Sequence, residues 1–449
     1  MDNQTAVKLL DETFLSEFDI YKFGNFIKEL LNDFRLNQQD IKKYLPKEYN
    51  DFVDEFHSLG TYMDDSKNFI QVFAVGLKRT SSRDRARTMQ RNLIAKFLEK
   101  NDRDAALVAF YGDEPEDWRF SFVKMEYELV KEDGKVKPKT KLTPAKRSSY
   151  LVGLNEPNHT CRTQFLDIIR EEDIKPTLEQ IEAAFSIETV TKEFFTEYKK
   201  IFLDLKESLE EVIKNDPVIE KEFNGNNILT TDFAKKLLGQ IVFIYFLQKK
   251  GWLGVKRQES WGNGPKNFLR KLFDGEMGSY ENFFNDMLEP LLYEALATER
   301  DGDYYSKFDC RIPFLNGGLF EPLNDYDWAG TDITLDNKIF KEILDTFDLF
   351  NFTIKEDEPL EKEVAVDPEM LGKVFENLLE VTDRKSKGAF YTPREIVHYM
   401  CQQSLINYLE TNLADISHED IEYFIKKGEF TLDLIIKEQE QKKKIWNLC

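Results

Sequence analysis

Apolar positions in the first part of the chain recur every three to four residues. Phe23, Phe26, Ile27, Leu30, Leu31 and Phe34 share one helical stripe. Pro46 interrupts the pattern before residues 49–59, so residues 1 to about 60 read as helical. From Asn68 the period changes. FIQVFAVGL, residues 69–77, predicts a strand, and residues 81–100 predict a helix with Met89, Leu93, Ile94 and Phe97 on one side and arginines on the other. AALVAFY, residues 105–111, is a short buried strand, and residues 119–130 are a longer one with partial alternation. This order implies a mixed sheet with helices on its faces.

A Lys-rich ribbon follows over residues 131–147, with Gly134 as its turn. Beyond Leu151 the pattern is helical. Val190, Phe194, Tyr198, Ile201, Leu205, Leu209 and Val212 step by three and four until Asp216-Pro217 stops them. Residues 231–248 predict the most buried helix, capped by Thr231-Asp232 and closed by Lys249-Lys250-Gly251. Residues 251–330 alternate helices with aromatic-rich loops, and residues 355–363 read as a charged surface connector. Two more helices are expected over residues 368–380 and 393–413.

A length of 449 residues is too long for one core, and 41% hydrophobic with 32% charged residues is an ordinary globular composition. The longest apolar run, IVFIYFL, is too short to span a bilayer. Cys161, Cys310, Cys401 and Cys449 lie far apart without zinc spacing, so a cytoplasmic protein without a structural metal is expected. The net charge of −21 argues against nucleic-acid binding as a global number. Residues 61–160 depart from it, with 19 Lys and Arg against 15 Asp and Glu, where the whole chain has 62 against 83.

The most specific string is KGAFYTPREIVH, residues 387–398. Thr392-Pro393-Arg394-Glu395 satisfies a capping box with Pro at the first helical position, so a well-made helix start is the simple reading. Phe390 and Tyr391 beside free helix N–H groups also make a cradle for an anionic ligand. The hexapeptide Gly388-Ala389-Phe390-Tyr391-Thr392-Pro393 resembles the tenth motif of amino-group DNA methyltransferases. Together with Asn316-Gly317-Gly318-Leu319-Phe320-Glu321, Leu371-Gly372-Lys373-Val374-Phe375-Glu376 and FIYFLQKKGW at 243–252, the chain resembles the N-terminal half of fused type IIG restriction–modification enzymes over residues 70 to 413. The resemblance implies S-adenosylmethionine held partly by Phe390, Tyr391, Thr392 and Pro393. It also implies double-stranded DNA as partner, no membrane, and methylase and target-recognition domains downstream in the same protein. Neither a DPxxGSG-type cofactor loop nor an NPPY-type motif occurs here, so the chain is expected to stop just before the methylase core and not to methylate alone.

Such families carry an N-terminal nuclease whose two carboxylates hold Mg²⁺ beside a Lys on the same strand face. Asp65 and Lys78 suit those roles, but Gly76 stands where the second carboxylate belongs. Glu126 and Glu128 are the candidate substitutes, with Glu126 as the candidate catalytic and metal residue beside Asp65. The plain alternative makes Asp64-Asp65 a turn cap and Lys78 a solvated strand end. Arg79, Arg83, Arg85, Arg87 and Arg91, with Gln90 at the centre, suit contact with a DNA backbone, against the alternative of a solvated face or a core-facing Gln90. Lys124, Lys131, Lys135, Lys137, Lys139, Lys141, Lys146 and Arg147 could extend that surface, or protect an exposed edge. His159-Thr160-Cys161 lacks a catalytic partner, and Asn316-Gly317-Gly318 suits a tight turn rather than a phosphate loop.

The expected fold is mixed α/β and α: a restriction-endonuclease-like mixed sheet flanked by helices, followed by a mostly helical domain. Residues 1–160 would form the nuclease-like domain, 161–365 a helical connector, and 366–449 the leading helices of an N6-adenine DNA methyltransferase domain. The competing expectation is a non-catalytic DNA-binding or assembly module on a degenerate nuclease fold.

Overall fold

The structure is a computed structural model. It describes residues 1–78, 83–112, 116–125, 128–132, 135–139, 145–315, 317–354, 360–370, 372, 392, 394–413 and 416–427. It divides into two compact units, Met1–Met125 with Ala145–Leu371, and Glu126–Pro144 with Gly372–Cys449.

The first unit opens with helices α1 (Asn3–Phe14) and α2 (Ile20–Leu30), each started by an aspartate. Asp2 accepts from the N–H groups of Gln4 and Thr5, and Asp19 from those of Tyr21 and Lys22. Strands β1 (Gln39–Asp40), β2 (Val53–Met63) and β3 (Phe69–Leu77) follow, then helix α3 (Arg83–Asn101), β4 (Ala105–Tyr111) and β5 (Asp117–Lys124). Strands β6 (Glu128–Glu132) and β7 (Lys135–Lys139) belong to the second unit, and the chain returns to the first in β8 (Lys146–Gly153). In the main sheet β2 pairs antiparallel with β3, β3 parallel with β4, and β4–β5 and β5–β8 antiparallel. The parallel pair needs a crossover, and α3 supplies it.

Alternation along the strands gives the sheet two apolar faces. Phe73 and Val75 on β3, with Val108 and Phe110 on β4, pack on Met89, Leu93, Ile94 and Leu98 of α3. The other face is aromatic. Trp118 and Phe120 of β5 meet Phe14 and Phe26 of α1 and α2 with ring centroids 5.5–5.7 Å apart. Phe165, from helix α4 (His159–Arg170), stands 5.5 Å from Phe120 on the same side.

Residues 53–63 correct the helical expectation for this stretch. Val53, Phe56, Leu59 and Tyr62 are buried at intervals of three, which imitates a helix in the sequence. The register of β2 against β3 shifts between Val53 and Glu55 and again between Ser58 and Gly60. Each β-bulge inserts one residue and stretches a period of two toward three. Gly60 sits at the second bulge with φ +141°, where a Cβ would meet the Arg35 carbonyl oxygen at 2.8 Å.

A helical layer continues the first unit through α5 (Leu178–Ala184), α6 (Ile187–Asn215), α7 (Pro217–Gly225), α8 (Thr230–Lys249), α9 (Phe268–Phe273) and α10 (Asn337–Phe347). The stripe foreseen for α6 is its buried face, and Asp216 both ends α6 and caps α7. On α8 the expected cap is absent: Leu229 occupies the N-cap position and makes no side-chain bond. Phe194 of α6, Tyr245 of α8 and Phe347 of α10 converge around Phe352. Between α9 and α10 the small strands β9 (Tyr304–Tyr305) and β10 (Cys310–Arg311) pair antiparallel. The chain then rejoins the main sheet as β11 (Glu361–Glu363), parallel to β8. Residues 361–363 are thus a strand rather than part of a surface connector.

In the second unit β6 and β7 form the hairpin expected of the Lys-rich ribbon. The helix Arg394–Asn412 packs Ile406 and Leu409 against Ile421 of the helix His418–Lys427. Among the described residues no helix is long and apolar enough to cross a membrane.

The turn between β2 and β3 hangs on Asp64, which is buried and accepts from Asn68 N (2.8 Å), Asn68 Nδ2 (2.8 Å) and Leu178 N (3.0 Å). Burial alone would raise its carboxyl, but these donors hold it below the usual range. Asp64→Ala is expected to cost about 1–3 kcal/mol of stability in a neutral-pH urea melt. Because the folded-state carboxyl is depressed, that difference is present at neutral pH and shrinks as acid titrates Asp64 in the native protein.

Candidate functional site

The residues expected to form a nuclease centre fall at two places on the sheet. Asp65 lies exposed in the β2–β3 turn, and Lys78 follows the other end of β3. The strand between them spans roughly 30 Å at its usual rise per residue, so the two do not share a metal. Lys78 donates to the Asn50 carbonyl oxygen at 2.8 Å. Glu126 lies outside the described residues. Glu128 opens β6 in the second unit, its side chain likewise undescribed. Among the described residues no group of three His, Cys, Asp or Glu side chains could hold a metal ion.

The carboxylate beside position 76 comes from the opposite strand. Glu55 is the register partner of Gly76, and Tyr111 at the end of β4 donates its hydroxyl to Glu55 Oε2 at 2.6 Å. Phe18 stacks on the Tyr111 ring at 4.1 Å, and His57 Nε2 lies 3.5 Å from Glu55 Oε2. Burial, then the bond to Glu55, raises the Tyr111 hydroxyl above its ordinary range. A Cβ on Gly76 would start 3.0 Å from the Glu55 Cβ and 3.2 Å from the Tyr111 ring, so a larger residue there displaces this pair. Sequence reasoning missed Glu55 because residues 49–59 read as helix. An acid at the start of a strand facing the end of β3 was the available signal.

Helix α3 corrects the expected DNA face. Arg87, Gln90 and Arg91 are largely buried and turn toward β8 and β11 instead of outward. Arg87 pairs with Glu363, which Arg119 of β5 also reaches at 3.1 Å. Glu361 lies 3.3 Å from Arg91 and 2.8 Å from Arg147, whose guanidinium also donates to Gln90. Arg147 is therefore a buried sheet residue and not part of an exposed ribbon, and Lys124 pairs with Glu182 at 2.5 Å. Burial pushes the Arg147 guanidinium down to about 10 although Glu361 opposes that shift. Burial also works to raise the Glu363 carboxyl, but Arg119, Arg87 and Lys249 together outweigh it and hold it at about 2. Arg79 lies outside the described residues, as do the side chains of Arg83 and Arg85.

Of the string expected to touch S-adenosylmethionine, Phe390, Tyr391 and Pro393 lie outside the described residues. Thr392 is exposed two residues ahead of the helix Arg394–Asn412. The turn expected over Asn316-Gly317-Gly318, with residue 316 undescribed, packs on α8: Lys236 Nζ donates to the Gly318 carbonyl oxygen at 3.1 Å, and Gln240 Nε2 to that of Leu319 at 2.7 Å.

Over 246 residues the chain is 29% identical to a Methanocaldococcus jannaschii protein described as "Putative type II restriction enzyme and methyltransferase RM.MjaORFECS2P". About half of this chain is similar to a restriction–modification protein. The alignment covers 49% of this chain and 19% of that protein, so the chain spans about a fifth of the curated relative it matches. No protein-family model matches the chain, and no solved structure matches it.

Removing one partner of a buried ion pair leaves an uncompensated charge, so Glu363→Gln is expected to cost about 3–5 kcal/mol in chemical denaturation at neutral pH. The native carboxyl at about 2 lies below its unfolded value, so the stabilisation is full above the unfolded pKa and is lost as pH falls through about 2. Melts of wild type and variant should therefore converge only in strong acid.

Proposed function

We propose that this chain is part of a DNA restriction–modification protein, supplying a nuclease-like sheet and a helical connector to an enzyme that methylates adenine at N6 and cleaves DNA. The similarity over 246 residues to a type II restriction enzyme and methyltransferase carries this reading. The mixed sheet, with α3 crossing between parallel β3 and β4, is consistent with a nuclease-like fold. Double-stranded DNA is the partner that follows from it, and the cytoplasm is the place of work. S-adenosylmethionine would supply the methyl group, with Phe390, Tyr391, Thr392 and Pro393 forming one wall of a pocket completed by the downstream methylase domain.

A second reading for the sheet, a scaffold rather than a nuclease, is favoured by one observation. Asp65 and Lys78 stand at opposite ends of β3, and position 76 is closed by Glu55 and Tyr111. The described residues do not fit Mg²⁺ in the expected way, so no cleavage step is assigned to them.

The test is made in cells. The longest reading frame containing this chain, expressed in a phage-sensitive bacterium, should lower phage plating and place N6-methyladenine in host DNA. A host with neither change would sink the reading. Residues 1–449 alone contain no cofactor loop and should give no calorimetric signal with S-adenosylmethionine. If the sheet is a scaffold, Lys78→Ala in the longer protein should leave cleavage intact, and a nuclease centre at Lys78 predicts its loss.

A further inference from the structure

With Arg87 and Arg91 of α3 turned inward, outward-facing positive charge among the described residues of the first unit is sought elsewhere. Residues 249–271 carry seven Lys and Arg against one acid, Glu259, in a chain whose total is −21. Their sequence, KKGWLGVKRQESWGNGPKNFLRK, interleaves these cations with Trp252 and Trp261. Inner members are spoken for: Lys249 pairs with Glu156, and Arg270 with Asp345 and Asp348. Lys250, Lys256, Arg257 and Trp261 are exposed.

Two of the exposed cations, Lys250 and Arg257, and the half-buried Arg311 sit on aromatic rings. Lys250 Nζ lies 4.3 Å from the centre of the Trp252 ring, the Arg257 guanidinium 3.5 Å from that of Tyr304, and the Arg311 guanidinium 4.2 Å from that of Trp261. Arg311 gives its Nε and Nη1 donors to the Gly302 and Glu259 carbonyl oxygens, at 3.1 and 3.0 Å, so it anchors the Trp261 ring, while Arg257, exposed beside Tyr304, is the guanidinium offered to a phosphate oxygen. The loop beneath is fixed by its backbone. Gly262 N and Gly264 N both donate to the Gly251 carbonyl oxygen at 3.0 Å, and Val255 bridges to Arg311. Gly251 has φ +69°, and a Cβ there would meet the Gly262 carbonyl oxygen at 2.2 Å, so this closure requires glycine. A surface ordered before binding loses little entropy on binding.

We propose that the loop of residues 249–271, with Tyr304 and Arg311, is a surface for the backbone of double-stranded DNA. Lys250, Lys256 and Arg257 reach phosphates, and the Trp261 ring lies against sugar. The proposal rests on the restriction–modification reading and locates its DNA contact on the helical layer instead of on α3. Acids bound the patch on two sides: Asp309 accepts the Tyr304 hydroxyl, and Glu259 lies 3.5 Å from Lys256. The interface is therefore short, two or three phosphates long, and positions the duplex without reading bases.

The experiment is fluorescence anisotropy of a short labelled duplex with the full chain across a salt series. The triple variant Lys250→Gln, Lys256→Gln, Arg257→Gln should bind roughly tenfold more weakly, and its plot of log affinity against log salt should flatten by about 0.9 for each phosphate no longer neutralised. Trp261→Ala should weaken binding and leave the slope alone. A control triple of Lys8→Gln, Lys22→Gln and Lys28→Gln, on exposed positions of α1 and α2, changes net charge equally and should keep the wild-type slope. All of these positions are exposed, so thermal melts should match wild type. The surface is overturned if wild type binds and the first triple binds equally well, or if the control weakens binding as much. A wild-type chain that binds no duplex even at low salt also overturns the surface, and the restriction–modification reading is then judged by the cell assay alone.

Discussion

The first unit depends on a buried exchange of charge between helix α3 and strand β11. Two glutamates two residues apart, Glu361 and Glu363, answer Arg87, Arg91, Arg119 and Arg147, which come from a helix and two strands formed far earlier in the chain. Arginines placed against an apolar sheet are costly to desolvate, and only well-placed carboxylates offset that cost. A strand delivers them efficiently because residues i and i+2 share a face. Its parallel pairing with β8 fixes the height of both carboxylates along the sheet.

This exchange explains why sheet and helical layer form one unit. The chain leaves the sheet after β8, builds α4 to α10, and comes back to complete the charge network. The backbone follows the side chains: Val364 N donates to the Ser149 carbonyl oxygen at 2.8 Å, and Thr353 N to that of Val366 at 2.9 Å. The helical layer carries its own core of Phe194, Tyr245, Phe347 and Phe352, yet it ends in a strand that the sheet needs.

The same network redistributes the electrostatics. Arg87 and Arg91 of α3 are used inside the fold, where they hold a strand. In residues 249–271, rings and glycine-locked turns hold Lys250 and Arg257 at the surface, with Lys256 exposed beside Arg257. Cations that look alike in a charge count thus face opposite environments.

Much of this was legible in the residues. The largely apolar run at 69–77 and the seven apolar residues at 105–111 mark β3 and β4 to the residue, and the stripe from Val190 to Leu209 marks the buried face of α6. These elements follow from local periodicity, because a fully buried strand or a one-sided helix writes its period directly into the chain. The sequence by itself therefore determined the mixed sheet, its crossover helix and the helical layer. Two β-bulges disguised β2 as a helix and hid Glu55, since a bulge is defined by the partner strand. Which carboxylate would stand beside Gly76, where Arg87 and Arg91 of α3 would point, and that residues 361–363 would join the sheet were decided only by tertiary structure. Each depends on partners tens to hundreds of residues away, and a charge run carries no mark of whether those partners are water, phosphate or a buried glutamate.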